Sequence, residues 1–220
     1  MPSYVDYPTV DVEGKRFYQL GDQKYYPSIT TILGNTLEPE KAQALENWRN
    51  WLGKAKADKV RDDAATRGTN THLMIERKLK GEDVRESEFP VEHVRIFNSL
   101  KFELQKINTV LGQEVVLYSD LVQVAGRCDL IAEYDGELSV VDYKTSSRVK
   151  SKDEIGDYWL QAAFYAIAHN EMYGTEITKL VILMGVEKGL PLVFRKRIDE
   201  EMVAKLLDRV DKFYVKMGVR

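Results

Sequence analysis

The chain has 220 residues, of which 44% are hydrophobic and 30% are charged, and its net charge at pH 7 is −3. This composition is typical of a globular protein, and the length suits one well-filled core, so we expect a single domain over residues 1–220. No apolar run approaches the roughly 18 residues that span a bilayer, which excludes a membrane-spanning helix. The single cysteine, Cys128, excludes internal disulfides, iron–sulfur clusters and zinc sites built from several thiolates, and it favours a reducing cytoplasm.

The first 60 residues combine a small β-element with a helix. Residues 9–26 have the turn glycines of short strands, and Ser28 is a candidate cap for a short helix. A longer helix is predicted over residues 39–52, where Trp48 lies on an apolar stripe and Trp51 lies nearby. Both tryptophans have two interpretations. Packing in the core is the one we favour, because aromatic stripes usually pack, and stacking against unpaired bases is the other.

Two further helices are predicted before the main sheet. The first covers residues 54–80, with a break near Gly68 as one option, and His72 lies on its buried face. From position alone, a lone helical histidine such as His72 is more often a satisfied core or surface residue than a ligand. The second covers residues 91–108, where apolar residues recur at spacings of three and four.

The central stretch predicts antiparallel strands joined by tight turns. The strands are expected over residues 114–119, 121–133 and 137–145. Asp135-Gly136 is the strongest short hairpin signal, because a type I′ turn requires positive φ at both central residues. The register that follows from this turn places Asp129 opposite Asp142 and Arg127 opposite Lys144.

The two facing carboxylates are the strongest chemical signal in the sequence. Directly opposed residues in a ladder have Cβ atoms about 5 Å apart, so Asp129 and Asp142 would repel each other. A hard divalent cation bound by both would offset the repulsion, and Lys144 could then stabilise charge at a reacting phosphate. The alternative is a surface hairpin neutralised by Arg127 and Lys144. Apolar residues on both faces of these strands favour the metal site.

A loop and a helix follow the hairpin. The helix is predicted over residues 153–173, where Gln161, Tyr165 and His169 recur every four residues and share one stripe. Ordinary packing of a helix on a sheet explains the same stripe. A second hairpin over residues 179–197 and a helix capped by Asp199 come next. This order of elements predicts an α/β fold, with a central mixed β-sheet flanked by helices.

The motifs together resemble those of the PD-(D/E)xK nuclease superfamily. Gly126-Arg127-Cys128-Asp129 followed by Val141-Asp142-Tyr143-Lys144-Thr145 is similar to its D…(D/E)xK signature. His72 upstream and Gln161-x-x-x-Tyr165 downstream are similar to the additional motifs of its RecB-like branch.

Two N-terminal segments resemble a narrower group. Tyr26-Pro27-Ser28-Ile29-Thr30 and Leu45-x-x-Trp48 are similar to the mitochondrial genome maintenance exonuclease group and its phage relatives. The resemblance runs from about Tyr26 to Tyr173, which is most of the chain.

The resemblance implies a restriction-endonuclease-like core and a divalent-metal-dependent DNA exonuclease that prefers single-stranded DNA with a free end. It implies Mg²⁺ or Mn²⁺ as cofactor. The implied catalytic residues are Asp129, Asp142, Lys144, Gln161 and Tyr165. The implied metal ligands are His72, Asp129, Asp142, the backbone carbonyl of Tyr143 and, as a further candidate, Glu114.

DNA contacts are expected from basic, hydroxyl and aromatic residues around this site. The candidates are Trp48, Arg67, Arg127, Thr145, Ser146, Ser147, Arg148 and Lys150. Residues 1–60 would form part of the DNA channel. A helicase or a single-strand-binding protein is an expected partner, because the chain holds no helicase region, and the expected setting is the cytoplasm of a bacterial or phage-infected host cell.

Three rival functions stay open at this point. They are a non-catalytic nucleic-acid-binding module of the same fold, a metal-dependent endonuclease, and a hydrolase of another phosphodiester. The presence of both aspartates and of Lys144 favours a catalyst over a binding module.

Overall fold

The computed structural model describes residues 2–219, which form two β-sheets and six α-helices. The first part of the chain contains β1 (Thr9–Val12), β2 (Lys15–Gly21), β3 (Lys24–Pro27), α1 (Ile29–Asn35), α2 (Pro39–Leu52), α3 (Lys54–Leu79) and α4 (Val91–Leu104). The second part contains β4 (Ile107–Ser119), β5 (Val124–Tyr134), β6 (Glu137–Ser146), α5 (Gly156–Tyr173), β7 (Lys179–Val186), β8 (Leu192–Arg197) and α6 (Glu200–Lys216).

The central sheet has five strands in the order β4-β5-β6-β7-β8. Strands β6 and β7 are parallel, and every other neighbouring pair is antiparallel. A parallel pair needs a crossover connection, and α5 provides it between β6 and β7. The predicted mixed sheet flanked by helices is therefore confirmed.

Helices cover both faces of this sheet. One face packs against α1, α5 and α6, with Phe164, Tyr165 and Phe213 among the largest buried side chains. The other face packs against α4 and the C-terminal half of α3, through residues such as Met74 and Phe97. Burial on both faces explains why the central strands are apolar on both sides.

The hairpin turn between β5 and β6 is the predicted one. Asp135 and Gly136 have φ values of 50° and 73°, as a type I′ turn requires. The register also follows the prediction from Tyr134↔Glu137 as far as Leu130↔Val141.

Beyond Leu130 the two strands diverge, and the predicted pairs Asp129–Asp142 and Arg127–Lys144 are wrong. The pairing of β5 with β6 ends at Leu130↔Val141, whereas on its other edge β5 stays paired with β4, where Arg127 lies opposite Val116. The carboxylate of Asp129 accepts a hydrogen bond from the Tyr143 N–H at 2.8 Å. This side-chain oxygen replaces the backbone carbonyl that would accept the bond in a regular ladder. The divergence opens the end of the hairpin where the site is built.

Several predicted boundaries shift. Helix α4 ends at Leu104, and Ile107, which fits helical spacing, begins β4 instead. Helix α3 continues through Gly68 without a break. The predicted caps Ser28 and Asp199 are confirmed, since each side-chain oxygen accepts a hydrogen bond from a backbone N–H in the first turn of its helix.

Helix α2 contradicts the core interpretation of the tryptophans. It buries none of its residues, and Trp48 and Trp51 are 37% and 81% exposed. Helical spacing was correct for α2, but within residues 2–219 its apolar stripe is not buried. Across residues 2–219, no helix has the length and apolar character needed to cross a membrane.

Candidate active site

Three side chains from different elements meet where β5 and β6 diverge. His72 of α3, Glu114 of β4 and Asp129 of β5 place one potential ligand atom each within 4.8 Å of one another. His72 Nδ1 lies 3.6 Å from Asp129 Oδ1 and 3.9 Å from Glu114 Oε1. The fold thus joins residues that are far apart in the chain into one compact cluster.

His72 is oriented by the backbone of β6. Its Nε2 lies 2.9 Å from the carbonyl oxygen of Tyr143, and because a carbonyl can only accept, Nε2 is the donor. Nδ1 is thereby turned toward the two carboxylates. Burial lowers the pKa of His72, but Asp129 and Glu114 outweigh it and raise the pKa to about 9.

Glu114 reaches the cluster through an unusual backbone conformation. Its φ is 51°, a region that glutamate rarely adopts. The pairs Gln113↔Leu130 and Val115↔Cys128 flank it, so Glu114 lies opposite Asp129 without pairing. Irregular pairing of this kind re-aims side chains at functional sites.

Asp142 lies beside the cluster in a wholly buried position. Its exposure is 0%, and within residues 2–219 neither of its carboxylate oxygens accepts a hydrogen bond. Lys144 Nζ lies 2.5 Å from Asp142 Oδ2, an ion pair without hydrogen-bond geometry. Burial raises the pKa of Asp142 and Lys144 opposes the increase, with a net value of about 6.

These residues fit a divalent cation. A buried carboxylate is costly unless a charge compensates it. Lys144 forms an ion pair with Oδ2 of Asp142, and the charges of Asp129 and His72 also act on this carboxylate. Asp142 itself is not among the three residues whose ligand atoms lie within 4.8 Å of one another. Carboxylate oxygens with one imidazole nitrogen are ligands that suit Mg²⁺ or Mn²⁺. The carbonyl of Tyr143, also predicted as a ligand, accepts the His72 hydrogen bond.

A cleft of about 740 Å³ leads to the cluster. Its lining includes Gly68, His72, Glu114 and Arg127. Arg127 donates to the carbonyl oxygen of Glu114 at 2.5 Å and to the carboxylate of Asp6 at 2.6 Å. Arg127, a predicted DNA contact, therefore lies at the cleft, and its guanidinium is already paired with the carboxylate of Asp6.

Gln161 and Tyr165, the predicted pair on α5, lie one behind the other, with Gln161 nearer the surface and Tyr165 in the core. Gln161 is half-buried and donates from Nε2 to the hydroxyl of Tyr165 at 3.0 Å. Tyr165 is only 1% exposed and packs against Gly126. Any effect of Tyr165 on a substrate must therefore pass through Gln161. His169, on the same stripe, is a buried residue bonded to Tyr4 and Thr175.

Two predicted DNA contacts are engaged within the protein. Ser146 is 5% exposed, donates to the carbonyl of Arg148 and accepts from its N–H, so it shapes the loop, and its contact with DNA stays a prediction. Arg148 is exposed and forms an ion pair with Glu154. Ser147 lies on the same loop and lines a second cleft, of about 490 Å³.

The other predicted basic and polar contacts lie nearer the reaction centre. Arg67 donates to Thr145 Oγ1 at 3.3 Å and to Glu187 at 3.4 Å. Lys150 donates to the hydroxyl of Tyr158 at 2.7 Å. Trp48, by contrast, lies on exposed α2 and outside the described lining of the cleft at His72.

Sequence reasoning missed Tyr158 and Glu187. Tyr158 lies three residues before Gln161, so the same stripe of α5 could have indicated it. Glu187 follows β7 and meets Arg67 only because β6 and β7 are parallel neighbours, which no local pattern signals.

Comparisons with known proteins identify relatives of this chain. Mitochondrial genome maintenance exonuclease 1 of Xenopus tropicalis is 30% identical over 174 residues, covering 75% of this chain and 50% of the relative. The Mus musculus protein of the same name is 26% identical over 186 residues, covering 81% and 55%. The chain therefore spans about half the length of the curated relatives it matches.

A solved structure shares the fold. The crystal structure of a protein from Eubacterium rectale, described as a candidate exonuclease, superposes with a TM-score of 0.50 at 14% identity, covering 71% of this chain and 68% of that one. The model of the PD-(D/E)XK nuclease superfamily matches residues 16–213, which include every member of the cluster. The chain belongs to the PD-(D/E)XK nuclease superfamily.

Proposed function

We propose that this chain is a divalent-metal-dependent DNA exonuclease that prefers single strands with a free end. The observation that carries the proposal is the cluster of His72, Glu114 and Asp129 beside the buried Asp142 carboxylate, which Lys144 pairs at Oδ2 only. Such an arrangement is costly in a resting fold and becomes favourable when a cation is held there.

The proposed chemistry is hydrolysis of a phosphodiester. Mg²⁺ or Mn²⁺ would be held by His72, Asp129, Asp142 and Glu114, and it would supply positive charge that polarises the phosphate and lowers the pKa of a water molecule. The carbonyl of Tyr143 fixes His72 so that Nδ1 faces Asp129 and Glu114.

Lys144 has an electrostatic role in this proposal. Burial lowers its pKa, but Asp142 and Asp129 outweigh burial and raise the pKa above the ordinary value of lysine. The carboxylates therefore favour the ammonium form of Lys144 over the neutral amine that a base requires. Its ammonium group would donate to a phosphate oxygen as negative charge develops in the transition state.

The DNA strand would be positioned by residues around this centre. Gln161, held by Tyr165, presents its amide to the scissile nucleotide. Arg127, Arg67 and Thr145 lie around the site and would contact flanking phosphates.

Two features support the free end and the single strand. The curated relatives are named exonucleases. Exposed Trp48 and Trp51 offer surfaces on which unpaired bases stack, in the region proposed to form part of the channel. A helicase or a single-strand-binding protein would supply the unwound strand, and the proposed setting is a bacterial or phage-infected cytoplasm.

The first experiment incubates end-labelled linear single-stranded DNA and a circular single strand with Mg²⁺, Mn²⁺ or EDTA. Metal-dependent loss of the linear strand alone is expected. Cutting of the circle would establish an endonuclease. Binding without cutting under any metal would favour the binding module. If the protein cuts no DNA but hydrolyses another phosphodiester, its substrate is a different one.

Variants connect the activity to the site. Lys144→Ala and Asp142→Asn should each lower kcat by about 100-fold or more, because each removes charge that acts on the transition state. Lys212→Ala, an exposed residue on α6, is the matched control and should keep full activity. Wild-type rates in Lys144→Ala protein of normal stability would refute the assignment.

A further inference from the structure

Tyr158 on α5 contacts two lysines next to the reaction centre. Lys144 Nζ lies over the Tyr158 ring, 5.1 Å from its centroid. Lys150 Nζ lies 4.9 Å from the same centroid and donates to the phenol oxygen at 2.7 Å. One aromatic side chain thus holds the lysine of the signature motif and a lysine of the following loop.

The physical basis is the charge distribution of the ring. Two ammonium groups repel each other, and the negative face of the tyrosine ring attracts that of Lys144. The phenol oxygen adds a hydrogen-bond acceptor for Lys150. The ring itself is half-buried and packs against the cluster of Ile155, Ile182 and Met184, so it is a fixed platform.

The other long cations of the loop are oriented differently. Arg148 is engaged with the carboxylate of Glu154. Lys152 lines a separate cavity with Trp159 and Arg195. Lys150 is held by the Tyr158 hydroxyl, which leaves its positive charge without a carboxylate in that contact, beside the ring that Lys144 also contacts.

We propose that Tyr158 is a positioning residue with two separable functions. Its ring orients Lys144 at the reacting phosphate, and its hydroxyl holds Lys150 at a neighbouring phosphate of the same strand. This inference rests on the proposed nuclease function. It assigns Tyr158 as the residue that contacts both Lys144, of the signature motif, and Lys150, of the loop proposed to bind the strand.

The separable functions predict different kinetic effects. Tyr158→Phe keeps the ring and loses the hydroxyl, so KM should rise about threefold to tenfold while kcat stays within about twofold. Lys150→Ala should raise KM similarly. The double variant should match the single variants within about twofold, because both changes remove the same interaction. Tyr158→Leu removes the ring, and kcat should fall about tenfold.

Binding gives a readout that a structural role would not change. The slope of log affinity against log salt for single-stranded DNA should become smaller by about 0.7 in Lys150→Ala, the value for one phosphate contact. Tyr158→Phe should move the slope in the same direction. Lys152→Ala removes the same charge from the same loop, away from Tyr158, and should leave KM and the slope unchanged.

The outcomes separate this inference from the proposed function. If wild type degrades DNA and Tyr158→Phe matches it in KM and slope, the inference is overturned and the nuclease function stands. If wild type cuts no DNA, the nuclease function fails, and the binding slopes of Tyr158→Phe and Lys150→Ala still decide whether Tyr158 positions Lys150. If Tyr158→Leu does not fold, the double-mutant cycle of Tyr158→Phe and Lys150→Ala decides the inference on its own.

Discussion

Replacing Tyr143 by phenylalanine should stabilise the protein. Tyr143 is 3% exposed, and its hydroxyl oxygen has no hydrogen-bond partner within residues 2–219. Burial also raises the pKa of Tyr143 far above its ordinary range, so the hydroxyl stays neutral. The fold therefore bears the cost of removing a polar group from water without a compensating hydrogen bond.

The size of the effect follows from that cost. An unsatisfied buried hydroxyl costs about 1–3 kcal/mol, and deleting it loses a small amount of packing, so a net gain of about 1–2 kcal/mol is expected. For a domain of this length the melting temperature should rise by about 2–8 °C. Urea unfolding should show a higher midpoint with an unchanged m-value, which identifies a change in stability alone.

Tyr134→Phe is the matched control. Tyr134 is equally buried, but its hydroxyl donates to the carboxylate of Glu103 and accepts from Arg195 at 2.9 Å. The same substitution there should destabilise the protein by about 1–2 kcal/mol, because hydrogen bonds to charged groups are lost. If Tyr143→Phe also destabilises the protein by more than about 1 kcal/mol, the Tyr143 hydroxyl has a partner such as buried water, and the reasoning fails.

Three further predictions concern packing, metal binding and a buried ion pair. Gly126→Ala should lower the free energy of unfolding by about 1–3 kcal/mol in urea titrations, because its Cβ would lie 2.8 Å from Tyr165 Cε1. By calorimetry, affinity for Mn²⁺ should rise with pH as Asp142 loses its proton near pH 6 and His72 loses its proton near pH 9; a flat profile would contradict the assigned ligands. Arg209→Met should destabilise the fold by about 3 kcal/mol in thermal melts, since the buried guanidinium donates at 2.7 Å, 2.8 Å and 2.5 Å to three groups; a loss below about 1 kcal/mol would refute this.

The hairpin was predictable because its turn chemistry is local. Asp135-Gly136 requires positive φ at both residues, and the turn sets the pairing of the strands that follow it. Once the register is set, strand alternation places Asp142 and Lys144 on one face. Their ion pair at 2.5 Å agrees with that expectation.

The divergence at Asp129 could not be predicted in the same way. It depends on a side chain that replaces a backbone acceptor and on positive φ at Glu114, and neither leaves a mark in the periodicity of the strands. His72, Glu114 and Asp129 form the cluster, Asp142 lies beside it, and the predicted pairing of Asp129 with Asp142 is wrong. Ile107 illustrates a second limit, because one apolar residue fits both a helix end and a strand start.

Tertiary contacts explain the remaining differences between the sequence predictions and the structure. Trp48 and Trp51 were expected to pack from helical spacing, but spacing does not show which element would cover them. Within residues 2–219, no element buries either tryptophan. Tyr165 was expected at the substrate and lies in the core behind Gln161. Ser146 was expected in a binding loop, and it holds the loop backbone.

The exposure of α2 has a consequence for its helix–coil equilibrium. The helix has 14 residues, buries none of them, and ends at Gly53, whose φ of 78° separates it from α3. Isolated helices of this length are marginal in water, so the amides of α2 should exchange with solvent far faster than those of buried α5. A ligand that binds along α2 must therefore hold it in the helical state. Its affinity will decline on heating as the coil becomes populated, even where the contact surface stays the same.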